Sequence, residues 1–198
     1  YGRTATDLTG AGYSILSMDW RGQGLSDRVT DDVRLGHIGD FSDYQHDVAA
    51  FVALAEDLDL PKPWYLLAHS MGGCIGLRAL INGLPVEKAV FSAPMWGIFV
   101  LPNLRPIARV LPGLANFFGQ QLRTMPGTSP RGYVFDTAFE TNLLTTDAET
   151  WAYLERHAKA EPKFSLGGPT VTWFEAATRE TAALLKAPRP AIPVKTMA

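Results

Sequence analysis

Residues 64–73 read Trp64-Tyr65-Leu66-Leu67-Ala68-His69-Ser70-Met71-Gly72-Gly73. The apolar run from Trp64 to Ala68 predicts a buried strand, His69 to Gly73 a sharp turn, and Cys74 to Ile81 the helix that follows. A serine hydroxyl is a poor nucleophile unless it is held exposed beside a base and an oxyanion site. A strained strand-to-helix turn does that holding, and it needs small residues on both sides of the serine. Ala68, Gly72 and Gly73 meet the need, which makes Ser70 the candidate nucleophile and leaves His69 as structural support for the turn. The Met71 N–H is the candidate oxyanion donor, aided by the positive end of the helix. One such donor is worth about 2.7–4 kcal/mol to a transition state. The plainer alternative is a tight turn in which Ser70 only caps the helix.

Working outward, Thr4 to Thr9 reads as the end of a helix stopped by Gly10 and Gly12, and Tyr13 to Met18 as a short strand. Ser42 is the expected N-cap of a helix over Asp43 to Asp57, with Val48, Phe51, Val52 and Leu54 on one face. Pro61 and Pro63 end that helix, and Val86 to Ser92 contains another strand. Strands alternating with helices predict an α/β fold, a mostly parallel, doubly wound sheet covered on both faces. After Ala93-Pro94 the alternation stops, and the chain becomes proline-punctuated and helical, most clearly at Trp151 to His157 and Val171 to Leu185. The expected organisation is a partial core over residues 1–94 and an inserted helical cap over 95–185. Residues 186–198 then start a return to the core, in which Ile192 to Val194 begins a strand that never develops, so the sheet is expected to be incomplete.

Composition narrows the function. With 198 residues the chain suits one domain and buries a real core, roughly 70% of its unfolded surface. A net charge of −2 offers no basic field for nucleic acid. The single cysteine, Cys74, permits no internal disulfide and is read as a small buried hydrophobe. No signal peptide or apolar run of membrane-spanning length is visible, so a cytoplasmic or membrane-peripheral location is favoured. No His or carboxylate spacing suits a metal, and Gly22-Gln23-Gly24 lacks the third glycine of a nucleotide loop, so no metal or cofactor is expected. Asp19 and Arg21 read as a loop-bracing pair, His37 as a hydrogen-bonded loop residue and His46 as a solvated helix residue. The apolar cluster from Met95 to Phe118 packs the cap, and its surplus lines an acyl pocket over Ser70 or touches a membrane surface.

Two stretches, His69-Ser70-Met71-Gly72-Gly73 and Asp19-Trp20-Arg21-Gly22-Gln23-Gly24-Leu25-Ser26, resemble the α/β-hydrolase superfamily. Ala68 departs from it mildly, standing where glycine is usual. Gly39-Asp40-Phe41-Ser42-Asp43-Tyr44, Ser92-Ala93-Pro94-Met95 and Gly167-Gly168-Pro169-Thr170 are similar to its lysophospholipase and monoacylglycerol lipase branch. The resemblance implies a serine carboxylic ester hydrolase that forms an acyl-enzyme on Ser70 and takes an acyl ester or lysophospholipid. It also implies a catalytic Asp and His in the order Ser, Asp, His, on loops beyond Val194, and a second oxyanion donor on strands before Tyr1. The acid and base of the triad are therefore not found in this chain. His157, the only histidine after Ser70, has Asp136 and Asp147 before it, but its place on a cap helix argues against it. The chain by itself is expected to be inactive or weakly active. Another reaction of the same fold (peptide cleavage or acyl transfer), a non-catalytic truncated domain and an incomplete gene product are the alternatives.

Overall fold

The computed structural model describes residues 2–129 and 131–197, and Tyr1, Pro130 and Ala198 lie outside it. In chain order the described elements are α1 (Gly2–Gly10), α2 (Asp43–Asp57), β1 (Tyr65–His69), α3 (Met71–Ile81), β2 (Lys88–Ser92), α4 (Arg105–Phe117), α5 (Tyr133–Asp136), α6 (Ala148–Ala160), α7 (Val171–Leu184) and β3 (Val194–Met197). The chain divides into two compact units. One comprises the residues up to Met18, Tyr44–Gly97 and those from Thr181 onward; the other comprises Asp19–Asp43 and Ile98–Glu180.

The first unit is built on a parallel sheet with strand order β1-β2-β3 among the described residues. β1 pairs with β2 from Tyr65↔Lys88 to His69↔Ser92, and β2 with β3 from Ala89↔Val194 to Ser92↔Met197. Parallel neighbours need a crossover, and α3 is the one between β1 and β2. The period of two along each strand sends Ala68, Ala89 and Phe91 to the face where Leu80 of α3 joins them, with Leu66, Leu77, Trp96 and Ile192 at the margin. Phe91 is wholly buried, with the Trp96 ring edge-on at 5.4 Å. Cys74 is buried, as its apolar setting predicts.

Four expectations for this unit change. The strand predicted to stay undeveloped is a true strand, β3, and its partner is the central strand β2. A four-residue ladder forms there because backbone pairing depends on the neighbour and not on the apolar count of Val194 to Met197, all of which are exposed. Conversely, Tyr13 to Met18 forms no strand among the described residues, because it has no ladder partner; Tyr13 instead lays its ring against Tyr65 at 6.4 Å. The strand expected to be buried throughout, β1, lies at the edge of the order and leaves Tyr65 and Leu67 about half exposed. In α2 the buried residues are Tyr44 and Ala55, and Leu54 is exposed. At about 100° per residue Leu54 points away from the side shared by Tyr44, Val48, Phe51 and Ala55.

The second unit contains α4, α5 and α6, the greater part of α7, and the segment Asp19–Asp43, which is held by hydrogen bonds distant in sequence. Gly167 N–H donates to Arg34 O at 2.8 Å, Thr170 N–H to Gly36 O at 3.0 Å and the Arg28 guanidinium to Lys163 O at 2.6 Å. Arg179 pairs with Asp40, and Trp173 meets Phe41 edge-on at 5.6 Å. α6 extends beyond the expected Trp151 to His157 at both ends, and Asp147 is its N-cap, accepting the Thr150 N–H at 2.8 Å.

The contrast between the two faces of the sheet is measurable. Phe91→Ala is expected to lower unfolding stability by about 3–5 kcal/mol. Leu67→Ala, on the exposed side of β1, is expected to cost well under half of that. Urea unfolding of both variants checks the difference.

Candidate active site

Ser70 stands between the last residue of β1 and the first of α3, with φ +50° and ψ −121°. Non-glycine residues rarely adopt positive φ, at a cost of about 1–3 kcal/mol, and such residues concentrate at functional sites. Hydrogen bonds on both sides hold it there. Its N–H donates to Ser92 O at 3.2 Å, and its carbonyl accepts from Gly73 N–H at 2.8 Å and Met95 N–H at 2.9 Å. The residue is exposed, and its side chain makes no capping bond to α3. The helix-cap alternative therefore fails: an N-cap serine has extended φ/ψ and bonds the helix N–H groups.

The turn is clasped by the segment that follows β2. Ala93 also has positive φ, +40°, and donates to Met197 O at 2.8 Å, so the end of β3 anchors the loop that anchors Ser70. A Cβ on Gly73 would come within 2.5 Å of the Pro94 Cβ, and one on Gly76 within 3.0 Å of Leu66 and 3.4 Å of Phe91. Only glycine allows α3 to approach this closely. Trp96 adds a hydrogen bond from its indole N–H to Gly73 O at 3.2 Å. Ala68 is buried beneath the turn, within reach of Gly76. Gly72, grouped with Gly73 from sequence, is a correction: a Cβ there would meet nothing within 4 Å, because the residue faces away from the Pro94 loop. The tight contacts fall on Gly73 and Gly76, and sequence reasoning missed Gly76. Its one sequence signal is the spacing of three from Gly73, which puts both on the sheet side of α3.

His69 is exposed, and its Nδ1 lies 3.3 Å from Ser92 Oγ across the β1–β2 pair. Met71 opens α3, so its N–H belongs to the helix N-terminal set. His46 is exposed on α2. His37 and His157 belong to the other unit. His157 sits on α6 with its ring against the edge of Tyr153, 4.1 Å between centroids, and borders a cavity of about 210 Å³ with Tyr133, Phe164 and Ser165. His37 Nδ1 lies 2.8 Å from the hydroxyl of fully buried Thr170, which also accepts the Trp173 N–H. Burial holds the His37 imidazole below its ordinary pKa.

The loop Asp19 to Ser26 is braced from its own backbone. The Leu25 N–H donates to the Asp19 carboxylate at 2.9 Å and the Ser26 hydroxyl to the Asp19 carbonyl at 2.6 Å. Gly24, at φ +52°, admits that carboxylate where a Cβ would stand 2.3 Å from it.

A parallel β-α-β unit with a strained serine at its turn is the arrangement of an α/β hydrolase. The fold is shared with a monoacylglycerol lipase of Paleococcus ferrophilus, with TM-score 0.64 and 20% identity over 99% of this chain and 66% of that one. It is shared also with a soluble variant of the Saccharomyces cerevisiae monoglyceride lipase, with TM-score 0.54 and 22% identity over 90% of this chain and 56% of that one. The chain belongs to the hydrolase family described as serine aminopeptidase, S33, whose model matches residues 1–195. It is 33% identical to lysophospholipase L2 of Escherichia coli over 186 residues, 87% of this chain and 50% of that protein. The chain thus spans about half the length of this curated relative.

Two outcomes are expected from the site as built. Gly73→Ala should lower stability by about 1–3 kcal/mol through overpacking against Pro94, whereas Gly72→Ala should be neutral or stabilising by up to about 1 kcal/mol. Chemical denaturation separates the two. For His37 the sign follows from linkage: its folded pKa is depressed, so the unfolded chain takes up the proton first. Stability is full above the ordinary histidine value of about 6.5 and is lost as pH falls below it. Melting temperature measured from pH 7.5 to 5.5 should fall, and His37→Gln should flatten the fall.

Proposed function

We propose that this chain carries the nucleophile of a serine carboxylic ester hydrolase acting on lysophospholipids or monoacylglycerols, with Ser70 forming the acyl-enzyme. The observation that carries the reading is Ser70 itself, exposed at φ +50° on the β1–α3 turn and not used as a helix cap. The Ser70 Oγ attacks the ester carbonyl carbon while its proton passes to a base; the alcohol leaves with a proton, and water then releases the fatty acid from the serine ester. In this reading the Met71 N–H, at the N-terminus of α3, donates to the developing oxyanion, and the helix end adds partial positive charge. The lipid ester reading draws on the likeness to lysophospholipase L2 and on the apolar character of residues 95–118. The family description, serine aminopeptidase, keeps peptide cleavage as the second reading. In our reading the base and its orienting acid come from neither unit: His157 lies on α6, beside Tyr153, and is not part of the elbow.

Without a base in the chain, a fluorophosphonate probe is expected to label the folded chain slowly, at Ser70, and to fail on Ser70→Ala. Long-chain monoacylglycerol or lysophosphatidylcholine should compete with labelling, and an aminoacyl anilide should not; the reverse competition would favour the peptidase reading. Absence of labelling in a chain shown folded by circular dichroism would leave a non-catalytic domain. Turnover of p-nitrophenyl octanoate should stay at or below the roughly 10³–10⁴-fold residual of triad-deficient hydrolases, and His157→Ala should not change it.

A further inference from the structure

The contact between His37 and Thr170 joins residues 133 apart in the chain, and it falls where α7 begins. Thr170 stands directly before α7, and its hydroxyl caps the helix by accepting the Trp173 N–H at 3.1 Å. A threonine hydroxyl also has one hydrogen to donate. Thr170 is fully buried, and the one acceptor its hydroxyl meets among the described residues is His37 Nδ1, at 2.8 Å. The neutral imidazole therefore carries its proton on Nε2 and accepts at Nδ1. Backbone pairing surrounds the contact: Thr170 N–H donates to Gly36 O, Gly167 N–H to Arg34 O, and Gly36 bridges to Pro169.

A proton on His37 opposes this contact in two ways. Nδ1 becomes a donor facing a donor, which leaves the buried hydroxyl hydrogen without an acceptor. The imidazolium also stands at the positive, N-terminal end of α7. No carboxylate nearby is placed to offset it. On its own segment Asp32 is held by Arg34, and Asp40 by Arg179 of α7 and by the Ser42 N–H. The Gly22 turn, packed on His37 O, adds Arg21 and Asp27, and Arg123 lies beside the start of α7 through its carbonyl. Glu175 is turned about 140° around α7 from Thr170, and Glu180 is about 15 Å further along it. None of these groups bonds the imidazole, and burial, with no neighbouring charge, holds its pKa below the ordinary value. Residues 28–37 have no helix and only the single bridge, so freeing them breaks few bonds. α7 keeps its cap, because the Thr170 oxygen retains a lone pair for the Trp173 N–H. We propose that the His37–Thr170 contact is an acid-released latch: neutral His37 holds residues 34–37 on the start of α7, and protonation frees that segment while the helix stays formed. The proposal is independent of the chemistry assigned to Ser70.

The test is hydrogen exchange of the whole chain, read by mass spectrometry at pH 7.5 and 5.5 and corrected for the intrinsic pH dependence of each amide. The Gly167 and Thr170 N–H groups, protected by carbonyls of the segment, should lose protection by up to about tenfold at pH 5.5, the limit for one proton on a group of ordinary pKa about 6.5. Amides of α3 and of the middle of α7 should change by less than about twofold. His37→Gln and His37→Leu both remove the titrating group and should hold the change at Gly167 and Thr170 under about twofold. Circular dichroism shows which of them folds, and the wild-type contrast stands without either. Unchanged protection at Gly167 and Thr170, an equal loss in α3 or α7, or a pH effect that persists in a folded His37 variant overturns the proposal.

Discussion

The backbone of Ser70 is held at positive φ by three hydrogen bonds, one through its N–H to Ser92 and two through its carbonyl from Gly73 and Met95. Each bond comes from a different part of the first unit: the end of β2, the first turn of α3, and the loop after β2. The strain is local, but what maintains it is the register of the parallel pair, since His69 opposite Ser92 sets where the turn begins. The close approach of α3 follows from the same register. Pro94 stands where a Cβ of Gly73 would be, and Leu66 and Phe91 stand against Gly76. β3 enters the same network, because Met197 accepts the Ala93 N–H and so fixes the second residue with positive φ at this end of the sheet.

A comparable dependence on distant backbone partners organises the second unit. Residues 34–41 have no secondary structure beyond a single bridge, and their order comes from Gly167, Thr170, Trp173 and Arg179, more than a hundred residues away. Two stretches that carried the resemblance, Gly39 to Tyr44 and Gly167 to Thr170, are thus parts of one linked assembly. Their shared role is structural: Thr170 is fully buried, its N–H bonds Gly36 and its hydroxyl meets His37. The third stretch, Ser92 to Met95, is the clasp on the Ser70 turn.

Polar and apolar groups are divided between different tasks in this chain. The serine turn is made from backbone hydrogen bonds and small residues, and the Ser70 side chain makes no capping bond to α3. The apolar residues of 95–118 are not all consumed in packing, since α4 seats itself with Pro112 and Ala115 and leaves its larger side chains outside.

Local rules were enough to read from sequence the turn at Ser70, the strand Lys88 to Ser92, the middle of α6 and the limits of α7 to within a residue, the parallel α/β class and the need for a small residue at Gly73. Each depends on propensity, periodicity or steric need within about ten residues, and the family's motifs fall on the same positions. Tertiary structure decided the remainder. Whether Tyr13 to Met18 or Val194 to Met197 becomes a strand depends on which backbone is available to pair, and hydrophobicity does not encode that. Which glycine bears the close contact, Gly76 and not Gly72, depends on the loop packed against α3. Leu54 and Leu67 are exposed because burial belongs to the side of an element that meets a neighbour, and periodicity names the sides without naming the neighbour.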